Sequence, residues 1–183
     1  PRTTGIMIYR KIAYKWPSNE MRFLPLGKIP KKVSQMVIRV EDGTFYSHHG
    51  IIPSALKHDW LVNNQLEKPV YGGSTITQQL ARNMFLSRER TIERKVREAI
   101  IAFRLESEFS KDEILEKYLN EIYFGRGAWG VETASQVYCG KPARDLSLGE
   151  AALLAGVIPS PNRTNPGASP DAAEAGKRRV LAR

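Results

Sequence analysis

The chain has 183 residues, 42% of them hydrophobic, which suffices for one core but not for two ordinary domains, so we expect one domain over residues 1–183. A single cysteine, Cys139, excludes an intrachain disulfide. The formal net charge is +9, and the basic excess in residues 1–40 indicates an anionic partner, which can be nucleic acid, acidic lipid headgroups or a phosphorylated substrate.

The first part of the chain predicts short elements separated by a polar loop. Residues 6–12 alternate loosely between apolar and other side chains and predict a short strand or extended arm. An apolar stripe that follows Pro30 predicts a helix ending close to Glu41. A second helix is predicted from residue 53 to residue 60, and the polar, glycine-marked stretch 63–73 predicts a loop.

Capping boxes predict three helix starts farther along the chain. In each, a hydroxyl stands three residues before a reciprocal acceptor: Thr75 with Gln78, Ser110 with Glu113, and Ser147 with Glu150. The apolar run after Glu150 predicts a buried core helix. Four residues predict the apolar face of another, long helix: Ile92, Val96, Ala99 and Phe103. A helix is also predicted from Pro170 to the basic residues 177–179, so the chain is expected to be mainly α.

An acidic residue stands where the first predicted helix ends. Partial desolvation beside the apolar face would keep the Glu41 carboxylate basic, which makes Glu41 a candidate general base. A merely solvating role is disfavoured, because the helix dipole favours acids at helix N-termini. Asp42, Phe45 and His48 are expected to shape the turn around it.

Residues 72–83, GGSTITQQLARN, combine glycines with an unusual density of amide and hydroxyl groups. The glycines allow close backbone approach, and Ser74 and Thr75 begin a helix whose N–H groups are expected to form an anion site. The residues that would line the following turns are Gln78, Gln79, Arg82 and Asn83. The alternative is a plain amphipathic helix, which would carry more Ala, Lys or Glu here.

Basic residues lie on one face of the next predicted helix. Arg90, Arg94 and Glu98 are four residues apart, and Lys95 lies beside them. The ordinary alternative is a solvated salt bridge between Arg and Glu, worth a few tenths of a kcal/mol, roughly 0.2–0.5.

Taken in order, several segments resemble the signature motifs of the peptidoglycan glycosyltransferases, also called transglycosylases. These segments are residues 41–50, 72–83, 90–98, 111–120, 123–130 and 146–156. Six motifs in order make coincidence very improbable. The resemblance implies a mainly α, lysozyme-like domain with a smaller membrane-facing jaw subdomain.

The resemblance also implies a reaction. An inverting glycosyltransferase would polymerise lipid II into β-1,4-linked glycan strands and release undecaprenyl pyrophosphate, with Glu41 activating the acceptor hydroxyl. Glu98 matches the family's second carboxylate, and the matching phosphate-binding cations are Arg82, Arg90, Arg94 and Lys95. Arg82 replaces the Lys of many members, which retains the charge. Pro159 stands where many members carry Lys or Gln, so one expected contact is in doubt.

The expected partners are lipid II, a lipid-linked glycan chain and an anionic membrane surface, with a transpeptidase as a further domain or a separate partner. Nucleic acid is not expected. The resemblance requires no cofactor and leaves open a divalent cation, Mg²⁺ or Mn²⁺, bound with the pyrophosphate; the sequence itself shows no metal site. No apolar run approaches the roughly 18 residues of a membrane span, and the chain begins at Pro1. The resemblance implies a location on the extracytoplasmic face of the plasma membrane, and we expect an anchor absent from this chain.

Two other functions have to be weighed. A lysozyme-like glycosidase or lytic transglycosylase would share the fold and the acidic residue, but it needs a carboxylic acid for a poor leaving group rather than an arginine cluster. A basic helical module that binds nucleic acid would explain the charge, but Glu41, Asp42 and Glu98 would repel its phosphates.

Overall fold

The computed structural model describes residues 22–53, 73–87, 89 and 91–183. Within these ranges the chain is helical, and its only β pairing is an isolated bridge between Tyr123 and Trp129. The mainly α prediction is confirmed. Three predictions lie wholly or mostly outside the described residues: the arm at 6–12, the predicted helix beyond residue 53 and the predicted loop at 63–73.

The described part of the chain contains seven α-helices. They are α1 (Lys31–Glu41), α2 (Ile76–Phe85), α3 (Ile92–Glu108), α4 (Lys111–Glu121), α5 (Val131–Cys139), α6 (Leu148–Val157) and α7 (Pro170–Leu181). Short 3-10 helices occur at Leu26–Lys28, Phe45–Ser47 and Ala143–Asp145. No described helix has the length and apolar character that a membrane crossing requires.

The chain divides into two compact units. The central unit is Val37–Tyr118, and the terminal unit contains the described residues before and after it, 22–36 and 119–183. Every described residue of the candidate site lies in the central unit.

The capping boxes form as the sequence predicts. Thr75 Oγ1 accepts a hydrogen bond from the Gln78 N–H at 3.1 Å, and Gln78 Oε1 accepts one from the Thr75 N–H at 3.1 Å. The same reciprocal pairs open α4, between Ser110 and Glu113, and α6, between Ser147 and Glu150. These starts depend on side chains within one turn, so the local sequence suffices to specify them.

The orientation of α3 differs from the prediction. Ile92, Val96 and Phe103 are 76%, 53% and 50% exposed, so the expected core face instead forms a stripe on the surface of the central unit, together with Ile100. The buried side chains of this helix are Glu98, Ala102 and Leu105. A close contact with the backbone explains the orientation: a Cβ built on Gly50 would lie 3.1 Å from the Ala102 carbonyl oxygen.

Helices α6 and α7 form the tightest pair in the terminal unit. α6 is almost uniformly apolar and is buried along most of its length, which confirms the predicted core helix. Gly156 of α6 faces Gly176 of α7, and the absence of side chains there lets the two backbones touch.

Candidate active site

Helix α1 ends with the candidate base, and the next residue, Asp42, is buried. The Asp42 carboxylate accepts a hydrogen bond from the backbone N–H of Ile76 at 2.9 Å. It also lies 2.9 Å from His48 Nε2. Because His48 Nδ1 accepts a hydrogen bond from the Gly50 N–H at 3.1 Å, the neutral ring carries its proton on Nε2. The Nε2–H group therefore donates a hydrogen bond to the Asp42 carboxylate.

The start of α2 is therefore occupied by a carboxylate of the protein itself. Asp42 caps the first helical residue from outside, which is the favourable place for a negative charge. The Thr75 hydroxyl accepts from Gln78 and donates to the Gly50 carbonyl at 2.5 Å. The sequence led us to expect an open anion site at this helix start; the structure instead places Asp42, Thr75 and Gln78 in its cap.

Aromatic packing fixes the turn after Asp42. Phe45 is fully buried, and its ring centroid lies 6.2 Å from that of His48 in an edge-to-face arrangement. Lys111 Nζ lies 4.5 Å from the centre of the Phe45 ring and donates to Glu106 at 2.8 Å. Phe45 and His48 thus hold the segment that carries the two acids, as a turn-shaping role requires.

A buried amide connects Glu41 to the interior. Gln79 Nε2 donates to Glu41 Oε2 at 2.8 Å, and Gln79 Oε1 accepts from the hydroxyl of Tyr118 at 3.0 Å. Burial raises the pKa of Tyr118 well above its usual value, and the negative charges of Glu41 and Asp42 raise it further while Arg82 opposes them. In the sequence Tyr118 belongs to the apolar stripe of residues 114–122, and the signal for a further role was a tyrosine rather than a phenylalanine at that position.

The second carboxylate is completely buried. Glu98 accepts hydrogen bonds from Arg94 Nη1 and, at 2.6 Å, from Lys95 Nζ. Lys95 also donates to Ser74 Oγ at 2.6 Å. The solvated-pair alternative is wrong for this pair and correct for its neighbour on α3, Arg97 with Glu93, in which both side chains are largely exposed.

The two candidate acids belong to one polar network. Gln79 Nε2 bonds Glu41 and, at 3.4 Å, the Ser74 carbonyl, while the Ser74 hydroxyl bonds Lys95 and through it Glu98. The sequence placed these five residues on three separate segments. The structure brings them together within the central unit.

Among the described residues of the central unit, some buried or half-buried donor groups have no hydrogen-bond acceptor. Arg94 Nε and Gln78 Nε2 are buried without a hydrogen-bond partner among the described residues. The side chain of the half-buried Arg82 makes no hydrogen bond or ion pair within the described ranges. Of the other predicted site residues, Asn83 is half-buried near the end of α2 and has an interaction partner, and Arg90 lies outside the described residues. Unpaired buried donors are costly, so a ligand that carries acceptor oxygens suits these groups.

A protein-only metal centre is not formed by the described residues. They contain no group of three or more His, Cys, Asp or Glu side chains that could hold a metal ion. A divalent cation at this site would therefore need oxygen ligands from the substrate, as magnesium bound with phosphates commonly has.

Comparison with known proteins gives the family. Residues 9–183 match the sequence profile described as Transglycosylase. The chain is similar to penicillin-binding protein 1A of Aquifex aeolicus, with 48% identity over 161 residues, covering 88% of this chain and 22% of that protein. It is also similar to penicillin-binding protein 1A of Escherichia coli, with 46% identity covering 90% of this chain and 20% of that protein.

The match covers a larger share of a shorter relative. The putative transglycosylase H16_A0665 of Cupriavidus necator is 43% identical over 148 residues, which are 81% of this chain and 64% of that protein. The chain thus spans about a fifth of the length of the penicillin-binding proteins and under two thirds of this relative. On the match over residues 9–183, and as the motifs indicated, the chain belongs to the transglycosylase family.

Proposed function

We propose that this domain is an inverting glycosyltransferase that polymerises lipid II into β-1,4-linked peptidoglycan strands and releases undecaprenyl pyrophosphate. Family membership supports the reaction class. The observation that carries the finer proposal is the network joining Glu41 to Glu98 through Gln79, Ser74 and Lys95. It joins a carboxylate suited to accept a proton with cations suited to hold a diphosphate.

Glu41 is the proposed general base. As the acceptor's 4-hydroxyl oxygen bonds to the anomeric carbon, its proton passes to the Glu41 carboxylate and the bond from that carbon to the pyrophosphate oxygen breaks. Attack from the face opposite the leaving group inverts the configuration. Gln79 holds Glu41 Oε2 through one hydrogen bond, which fixes the carboxylate, and a base so positioned contributes about 10²- to 10⁴-fold.

The cations of α2 and α3 are proposed to hold the departing pyrophosphate. Arg82 and Arg94 both carry guanidinium N–H groups without a partner among the described residues. Hydrogen bonds from cations to phosphate are each worth about 1.5–3 kcal/mol, so two or three suffice to stabilise the leaving group without a general acid. Glu98 is proposed to act by fixing Lys95 and Arg94.

We propose further that the donor is the growing glycan on undecaprenyl pyrophosphate and that the reaction takes place against an anionic membrane, on the extracytoplasmic face. The parent protein would carry an anchor and either a transpeptidase domain or a transpeptidase partner. A divalent cation would bind together with the pyrophosphate. These proposals rest on the family and on the lipid tails of both substrates.

Incubation with labelled lipid II, followed by sizing of the products, tests the function directly. The intact protein should form glycan polymers, and Glu41→Gln should reduce polymerisation about 10²- to 10⁴-fold while the circular dichroism spectrum stays native. Glu108→Gln, an exposed acid of the same unit, serves as the control with full activity. Near-normal polymerisation by Glu41→Gln, or cleavage of finished peptidoglycan in place of polymerisation, would refute the proposal.

A further inference from the structure

The hydroxyl of Tyr118 lies one amide away from the proposed base. Tyr118 is fully buried near the end of its helix, and its hydroxyl donates to Gln79 Oε1 at 3.0 Å. The other end of the same amide, Gln79 Nε2, donates to Glu41 Oε2 at 2.8 Å. These two hydrogen bonds run in one direction, from phenol to amide to carboxylate.

These bonds together set the orientation of the Gln79 amide. The two ends of a carboxamide are nearly alike in shape, so the surrounding hydrogen bonds decide which end faces which neighbour. If the Gln79 amide were turned over, its oxygen would face the Glu41 carboxylate, and two acceptors would meet. The Ser74 carbonyl also accepts from Nε2, at 3.4 Å, and the phenol that donates to Oε1 completes the set of bonds that presents N–H to Glu41.

The surroundings keep the phenol a donor. Burial raises the pKa of Tyr118 well above its ordinary value, so the phenol keeps its proton at neutral pH. Two acids and one cation act on it: Glu41 and Asp42 favour the protonated phenol, and Arg82 of α2 opposes them. His48 also belongs to these surroundings, because it donates to Asp42.

We propose that Tyr118 is a positioning residue for the transferase reaction, acting on Glu41 through the orientation of Gln79. It touches no substrate in this role. It keeps one N–H on the carboxylate, which fixes the direction of Glu41 and favours its ionised, proton-accepting form. The inference rests on the proposed function, in which Glu41 is the general base.

The test is Tyr118→Phe, which removes one oxygen and preserves the packing of the ring. Loss of one neutral hydrogen bond that acts on the base should reduce kcat about 3- to 10-fold while KM stays nearly unchanged. The acid limb of the rate profile should move to higher pH, because a carboxylate that loses a donor binds its proton more tightly. A wild-type kcat and pH profile would overturn the inference.

A matched control separates positioning from stability. The Tyr138 hydroxyl of the terminal unit is also part-buried and donates to the Phe124 carbonyl at 2.8 Å. Tyr138→Phe therefore removes a comparable hydrogen bond outside the proposed site, and it should leave kcat and the pH profile unchanged. If both phenylalanine variants shift the acid limb equally, the effect is general and the inference fails.

A second variant tests whether Tyr118 acts through Gln79. Gln79→Met removes the amide through which Tyr118 acts, so it should produce the same shift of the acid limb. In the double variant with Tyr118→Phe the losses should be far from additive, since both remove the same connection. Additive losses would overturn the inference, whereas an active Glu41→Gln would refute the base assignment itself.

Discussion

A Cβ built on Gly156 of α6 would lie 2.7 Å from the carbonyl carbon of Gly176 in α7. The obstacle is backbone, so it cannot move aside as a side chain would, and Gly156→Ala should lower the free energy of unfolding by about 1–3 kcal/mol. Gly149 lies in the same helix, but the nearest atom to its added Cβ is Lys177 Cε at 3.9 Å. Gly149→Ala should therefore stabilise the protein by up to about 1 kcal/mol. Urea unfolding of both variants measures the difference, and equal effects would contradict the close crossing.

Two Arg and Glu pairs on α3 should differ sharply in their contribution to stability. Glu98 is fully buried against Arg94, whereas Glu93, which bonds Arg97, is 74% exposed. Glu98→Ala leaves cations unpaired in a buried setting and should cost about 3 kcal/mol of unfolding free energy. Glu93→Ala should cost less than about 1 kcal/mol. Chemical denaturation of the two variants gives the comparison, and similar losses would show that Glu98 is solvated.

The exposed stripe on α3 should tolerate polar substitution. Ile100 is 62% exposed, so Ile100→Gln should change the unfolding free energy by no more than about 0.5 kcal/mol. Leu105 of the same helix is buried, and Leu105→Ala should cost about 2–5 kcal/mol. Thermal or urea unfolding distinguishes the two. A large loss for Ile100→Gln would mean that the stripe is covered in the folded protein.

The acid stability of the terminal unit should depend on Glu150. Hydrogen bonds from Lys141 and Ser147 lower the pKa of its carboxyl from 4.5 to about 2. Since the native pKa lies below the unfolded value, the ionised group stabilises the fold above about pH 4.5, and this contribution is lost as the pH falls through 2. Glu150→Gln keeps a side-chain oxygen that can accept from the Ser147 N–H, but it should abolish this part of the pH dependence.

Urea unfolding at several pH values between 2 and 7 measures that change. Glu108→Gln, at an exposed position of α3, should keep the wild-type pH dependence. If the Glu150→Gln variant and the wild-type protein lose stability in parallel below pH 4.5, the assignment to Glu150 is wrong.

The local sequence was enough to predict a structural feature wherever the atoms that form the feature lie within a few residues of one another along the chain. The capping box of Thr75 and Gln78 spans three residues, and the end of α1 at Glu41 follows from the apolar stripe before it. Segments that bear chemistry were also visible, because unusual densities of amides, glycines and cations stand out in sequence.

The remaining features depend on partners far along the chain. The carboxylate that caps α2 comes from Asp42, which is 34 residues before Ile76. The phenol that holds Gln79 lies 39 residues after it. The face that α3 buries is fixed by its contact with Gly50, so periodicity alone could not choose between two half-apolar faces.

The cap that Asp42 places on α2 has a consequence for the chemistry of anion recognition. With that helix end already neutralised by the protein, the proposed diphosphate would be held by ammonium and guanidinium groups on long side chains. Attraction of this kind weakens as dissolved ions accumulate, with a screening distance of about 8 Å at physiological ionic strength. Single substitutions of these side chains, or the salt concentration of the medium, would then change how tightly the leaving group is held. Backbone N–H groups at a helix start could not be removed by side-chain substitution in this way.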